Sequence, residues 1–298
     1  MASPAHWTFG QASLCRIVEI ETLPLSPFEL FPDCTAGHLA ANRDWLRPRF
    51  QDPASDALTL TIQSFLIRQS GLTILVDSCS GNDKARARPA FDRRNWPWLA
   101  QLRAAGVAPE DVDVVLCSHL HVDHVGWNTR LENGRWVPTF PNARYLISQR
   151  EWDYWQAAGA PALARTGDYI TDSVLPIFAA GQAELIGDDH ALASNIAIEP
   201  AYGHTPGQVM VRLAGGEREA ILSADLMHHP LQVRYPDWST RFCVDPVQAR
   251  QTRRNFLTRH AGSGRIIFPA HFRSPTGGTI ERDGAAFRFV YCDEPGAA

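Results

Sequence analysis

The sequence predicts an α/β fold, on two observations. Short apolar, β-rich runs alternate along the 298 residues with stretches that read as helices, the usual signature of this class. Several of those runs also end directly in a side chain able to bind a metal, as expected where α/β sheets place their chemistry at strand ends. With 45% hydrophobic residues the chain can bury a sizeable core as a single domain over 1–298.

The elements follow in order. Residues 1–55 carry Pro24, Pro27, Pro32, Pro48 and Pro53 among aromatics, and read as an irregular N-terminal arm packed on the domain, with a short helical piece near His38 to Trp45. Strands follow at Leu58 to Arg68 and Leu72 to Asp77, divided by a turn at Ser70-Gly71. A helix covers Trp98 to Ala105 and stops at Gly106. The apolar run Val112 to Cys117 is a buried strand, and a second helix spans Ser148 to Ala157, stopping at Gly159. Asn195 to Pro200, Ala220 to Ala224 and Arg265 to Ala270 are further strands. Asp245 as N-cap and Pro246 in the first turn open a helix reaching about His260. Gly277 to Tyr291 is a closing hairpin that turns at Asp283-Gly284.

The run Ser118-His119-Leu120-His121-Val122-Asp123-His124 carries most of the functional information. One histidine in such a place is usually an ordinary hydrogen-bonded residue. Three with an aspartate, on the loop leaving a buried strand, suit a borderline cation such as zinc. His204 lies in a turn rich in Gly and Pro, Tyr202 to Gly207. Asp225 ends the run Ala220 to Ala224, and His271 follows Arg265 to Ala270. Side-by-side strands would present all four segments at one edge.

With those motifs the chain resembles the metallo-β-lactamase fold superfamily: H-x-H-x-D-H at His119, His121, Asp123 and His124, then Gly203-His204-Thr205-Pro206-Gly207, Ser223-Ala224-Asp225, Pro269-Ala270-His271, and the early Leu75-Val76-Asp77. The resemblance implies a four-layer αβ/βα sandwich with a dinuclear metal site. By correspondence His119, His121 and His204 would hold one ion, Asp123, His124 and His271 the second, and Asp225 would bridge them. Zinc is the expected metal, with iron, manganese or cobalt compatible with the same ligands. Asp77 is expected to orient a ligand histidine or a neighbouring backbone group.

Two divalent ions roughly 3.5–4 Å apart can share a solvent molecule and lower its pKa towards neutrality. The expected reaction is therefore hydrolysis by a metal-bridging hydroxide. The lactonase and organophosphate-hydrolase branch looks most similar, which implies opening of a lactone or cleavage of a related carboxylic ester. Phosphotriesterase, phosphodiesterase or glyoxalase-II-like thioesterase activity on the same ions is the alternative. The similar acyl-homoserine lactonases place a Tyr three residues after the bridging Asp, where this chain has His228. His228 reads either as a proton donor to the leaving group, with Asp123 as the other proton-handling residue, or as a structural histidine. His229, followed by Pro230, reads as a packed, hydrogen-bonded residue. Trp127, Trp238 and Phe272 are each either core aromatics or walls of a substrate pocket. Phe28 and Phe31 are candidates to fold over the site or to form a homodimer contact.

The net charge of −4 argues against nucleic acid as a partner and leaves a small-molecule substrate. Lys84, Arg86, Arg88, Arg93 and Arg94 crowd one stretch, read as a solvated loop rather than an anion-attracting or subunit-contact one. No apolar run of about 20 residues is present, so no membrane helix is expected. The N-terminus lacks signal-peptide character, which points to the cytoplasm. The six cysteines show no C-x-x-C pairing and read as reduced core thiols.

Overall fold

The computed structural model describes residues 6–163, 167–216 and 218–292. The first five residues, part of the stretch read for an export signal, lie outside them. The chain falls into two compact units, the first within Met1–Glu19 and Ile62–His190, the second within Ile20–Thr61 and Ala191–Ala297.

Unit 1 is built on a seven-stranded sheet. β1 (His6–Phe9) and β2 (Ala12–Leu25) form a hairpin, and β3 (Leu58–Gln69) and β4 (Leu72–Val76) form another. The second turns at Ser70-Gly71, both at positive φ, as the turn residues predict. β5 (Val114–Cys117) lies parallel to β4. β6 (Thr129–Glu132) and β7 (Arg135–Pro138) make a separate ribbon, and β8 (Arg144–Ser148) and β9 (Ala183–Ile186) extend the parallel part, giving the order β1-β2-β3-β4-β5-β8-β9. Parallel pairs need crossovers, supplied by the helix Trp98–Ala104 between β4 and β5 and the helix Gln149–Leu163 between β8 and β9. Every residue of β5 is buried, as a central parallel strand requires. Cys117 pairs with Ile147, so the loop after β5 and the helix after β8 begin at the same end of the sheet.

Unit 2 holds a second seven-stranded sheet: β10 (Ala191–Ala193), β11 (Ile196–Pro200), β12 (Val209–Gly215), β13 (Arg218–Ala224), β14 (Ile266–Pro269), β15 (Gly278–Asp283) and β16 (Ala286–Tyr291), in sequential order. Only the β13–β14 pair is parallel, and the helix Pro246–His260 is its crossover. That helix starts as predicted. The Asp245 carboxylate accepts the amides of Val247 (3.0 Å) and Gln248 (2.9 Å), and Pro246 occupies the first turn. Its inner face packs Phe256 and Leu257 with Ile221, Ile267 and Phe272, so Phe272 is a core aromatic.

Three expectations need correction. Residues 1–55 are not an irregular arm, because β1 and β2 are sheet strands, whereas the helical piece expected near His38 to Trp45 is present as Ala36–Ala41 and Arg43–Leu46. Pro24 is at the penultimate position of β2, where it costs the sheet little, Pro27 opens the short helix Pro27–Leu30, and Pro32, Pro48 and Pro53 lie in turns. The helix read as ending at Gly159 runs from Gln149 to Leu163. One glycine costs a helix only about 1 kcal/mol, and alanines flank this one. Finally, Lys84 and Arg86 are buried rather than solvated. Arg86 makes a two-pronged ion pair with Asp172 (2.6 and 2.8 Å). Lys84 donates to Thr129 (2.8 Å) and sits 3.8 Å from the Trp136 ring centroid. Desolvation of its ammonium lowers the Lys84 pKa to about 7, against the pull of Asp172.

Candidate metal centre

In unit 1 the H-x-H-x-D-H run leaves β5, and Asp77 immediately follows β4. One Asp77 carboxylate fastens both ends of the run. Its Oδ1 accepts the Ser118 amide (2.8 Å), while Oδ2 accepts the Ser118 hydroxyl (2.8 Å) and lies 2.8 Å from His124 Nδ1. Asp77 holds a left-handed φ of 59°, a strained conformation that the surrounding hydrogen bonds maintain. Asp77 was expected to orient a histidine or a neighbouring backbone group, and it contacts one of each. His119 Nδ1 lies 3.1 Å from the Ser118 hydroxyl. The His119 ring centroid is 4.7 Å from that of His121 and 4.1 Å from that of His124. His119 and His124 are buried, and His121 and Asp123 are part-exposed. A neutral imidazole that donates from Nδ1 presents the Nε2 lone pair, the form a metal requires.

The exit of the run is pinned too. Ser78 N donates to His124 O, Trp127 N to Ser78 O and Gly126 N to Cys79 O, each at 2.7 Å. Trp127 donates its indole N–H to Glu19 (2.8 Å) and stacks on Trp98, with centroids 5.5 Å apart, so it is a core aromatic. Glu19, fully buried, also accepts the amides of Ser80 (2.9 Å) and Gly81 (3.1 Å) and the Ser80 hydroxyl. Burial raises its pKa, and these four donors act the other way.

In unit 2, three imidazoles converge on Asp225 at the end of β13. Nε2 of His204 is 3.2 Å and Nε2 of His228 is 3.1 Å from Oδ2, while Nε2 of His271 is 3.0 Å from Oδ1. Ala224, just before, carries a φ of 45°, a second strained position beside a candidate ligand. Nδ1 of His271 faces the Thr61 carbonyl (3.0 Å), and Nδ1 of His204 faces the Cys243 thiol (3.7 Å). Asp225, His228 and His271 offer ligand atoms that all lie within 4.8 Å of one another. His228 is thus brought to the carboxylate, and its amide is fixed by Gln232 (2.7 Å). Burial lowers the His228 pKa, with Asp225 opposing.

His229 turns away. Its Nε2 lies 3.0 Å from the Phe50 carbonyl, and its Nδ1 accepts the Leu231 amide (3.3 Å), as expected of a packed residue. Burial lowers its pKa to about 4. An unfolded histidine protonates near 6.5, so between about pH 6.5 and 4 the unfolded chain binds more protons than the folded one. Stability should fall as pH drops through that window. Thermal melts at pH 7 and 5 should show this, with a smaller drop for His229→Gln; an equal drop in the variant would remove His229 as a cause. Trp238 is buried and stacks on Tyr235 (4.4 Å between centroids), and Phe31 is buried 5.7 Å from Trp238, whereas Phe28 is exposed.

The residues in each unit suit divalent cations. Each half combines imidazoles with a carboxylate, and Asp77, Ser118, Thr61 and Cys243 face the Nδ1 atoms of four histidines. Sequence reasoning missed Glu19 and Cys243 as supports. Each is a single residue without a motif, and only its long-range hydrogen bonds reveal it.

Comparison with known families decides the identity. Residues 59–271 match the family described as the Metallo-beta-lactamase superfamily, a span that contains all seven predicted ligands. The chain belongs to the metallo-β-lactamase superfamily. Curated relatives include the N-acyl homoserine lactonase AttM of Azorhizobium caulinodans, 39% identical over 66 residues (20% of this chain, 22% of the relative). The N-acyl homoserine lactonase AiiB of Agrobacterium fabrum is 28% identical over 101 residues (30% and 36%). The matched part thus spans about a fifth to a third of these relatives. Among solved structures, the hydrolase AbOPH superposes with a TM-score of 0.80 at 22% identity, covering 98% of both chains. AidC, a dizinc quorum-quenching lactonase in complex with a product, does so with 0.81 at 23%, again covering 98% of both. These likenesses establish the metallo-β-lactamase fold, the α/β class read from the sequence.

Proposed function

We propose that this superfamily member is a metal-dependent hydrolase that opens a lactone or cleaves a related carboxylic ester, with both units forming one catalytic domain. The observation that carries the reading is the convergence of three imidazoles on Asp225, within a family span that also includes the histidine-rich run. His119, His121 and His204 are assigned to one ion, Asp123, His124 and His271 to a second, and Asp225 to both. The similarity to N-acyl homoserine lactonases supports the substrate class. Zinc is the proposed metal on donor chemistry.

When bound, two such cations would activate water and stabilise the oxyanion that develops at an attacked carbonyl. The remaining work falls to the chain. Asp77 and Thr61 hold the tautomers of His124 and His271. His228, neutral at rest because burial lowers its pKa, would take up a proton released by the reacting water and pass it to the departing alkoxide, with Asp123 as the other proton-handling residue. Among the described residues, no helix is long and apolar enough to cross a membrane. Cys15, Cys34, Cys79, Cys117 and Cys243 are free thiols, which supports a reducing, cytoplasmic setting.

The test is a pH-indicator hydrolysis screen of metal-quantified protein against γ- and δ-lactones, acyl-homoserine lactones, aryl esters, a thioester and a phosphotriester. Lactone turnover that is lost on chelation and restored by zinc is expected. Turnover confined to the phosphotriester or the thioester would replace this reading with the corresponding hydrolase. His228→Ala should keep its metal and lose about 100-fold in turnover, the low end for a positioned proton donor. Unchanged turnover would remove His228 from the chemistry.

A further inference from the structure

Leu120 stands between two proposed ligands, His119 and His121, and its backbone amide points into the protein. That amide donates to Glu151 Oε1 at 2.9 Å. The same oxygen accepts the indole N–H of Trp155 at 2.8 Å, one turn further along the helix Gln149–Leu163. Glu151 is 1% exposed. The Trp155 ring in turn meets His121 edge-on, with centroids 5.8 Å apart, and is backed by Tyr169 at 5.9 Å. Because β5 and β8 pair side by side, the start of this helix lies next to the loop it braces.

We propose that Glu151 is a positioning residue for the metal-binding loop: its Oε1 fixes the Leu120 peptide, and with Trp155 it sets how His119 and His121 are presented. This rests on the reading of His119 and His121 as ligands. The Leu120 amide belongs to the peptide that links His119 to Leu120, so anchoring it limits the backbone torsions on either side that aim His119 and His121. A buried acceptor also has consequences beyond placement, since withdrawing it would strand two buried donors. Asp77 grips the loop at Ser118 and His124, and Glu151 restrains its middle peptide.

Two conservative variants separate reach from charge. Glu151→Gln keeps an oxygen acceptor at the same distance and loses the carboxylate. Glu151→Asp keeps the carboxylate and withdraws it by one methylene. Apo-protein of each would be titrated with zinc in competition with a chromophoric chelator, with a thermal melt as a folding control. Glu151→Asp is expected to bind one of two zinc ions about 10- to 100-fold more weakly, the usual scale for the hydrogen-bond partners of metal ligands. Glu151→Gln should stay within about threefold of the parent. Unchanged affinity in Glu151→Asp would overturn the proposal. Equal weakening in Glu151→Gln would assign the effect to charge and overturn it as well. If the parent protein itself bound no zinc, the ligand assignment, not the brace, would be the part that failed.

Discussion

Asp225→Ala is expected to release bound metal and lower turnover by more than about 1,000-fold, because losing the ions forfeits both water activation and oxyanion stabilisation, each worth roughly 100-fold or more. Nε2 atoms of His204, His228 and His271 all lie within 3.2 Å of this carboxylate. Without it, three imidazoles crowd one another, and the divalent charge loses its nearest compensation in unit 2. Metal content and turnover, measured on the same sample, should fall together. A variant that kept two ions and full turnover would place the chemistry elsewhere. The fold should survive, because Asp225 stands beyond the last residue of β13.

Gly203→Ala should cost stability, by about 3 kcal/mol or more, from overpacking combined with backbone strain. Gly203 has a φ of 125°, and a Cβ there would overlap the backbone of Ala249 in the crossover helix. The same turn is fastened to the segment entering that helix: Val244 N donates to His204 O (2.8 Å) and Asp245 N to Gly203 O (3.0 Å). Relief of the overlap would therefore shift His204 itself. Urea denaturation reads the first effect and zinc affinity the second. If both stayed at parent values, this contact would not constrain the turn.

The proposed ligands stand out in the sequence because each occupies a short local pattern: a β-rich run, a break, then His or Asp. The helix caps at Asp245 and Gly106 were legible for the same reason, since the cap and the helix it ends are neighbours in the chain. What escaped was long-range. Pro24 and Pro27 suggested irregular structure, yet β2 runs to Leu25 as a neighbour of β3, a partner distant in the chain that no local propensity shows. Lys84 and Arg86 looked solvated because their partner, Asp172, lies more than 80 residues away. Glu151 reaches Leu120 across 31 residues, and Cys243 reaches His204 across 39. The donors that would touch a metal follow strand ends, whereas the groups that aim them come from wherever the fold closes.

Arg253 adds one more consequence. Buried in the crossover helix, its guanidinium donates to the carbonyls of Leu226 (2.8 Å), Pro236 (2.8 Å) and Trp238 (2.7 Å). The path of the chain after Asp225 is thus dictated from outside that segment, by a side chain on a different element. Half-exposed Arg234 and Asp237 tie the same segment at its outer side, through ion pairs with Asp283 and Arg254. The route of the backbone past Asp225 is therefore sensitive to a substitution at Arg253, in a helix that contributes none of the proposed ligands.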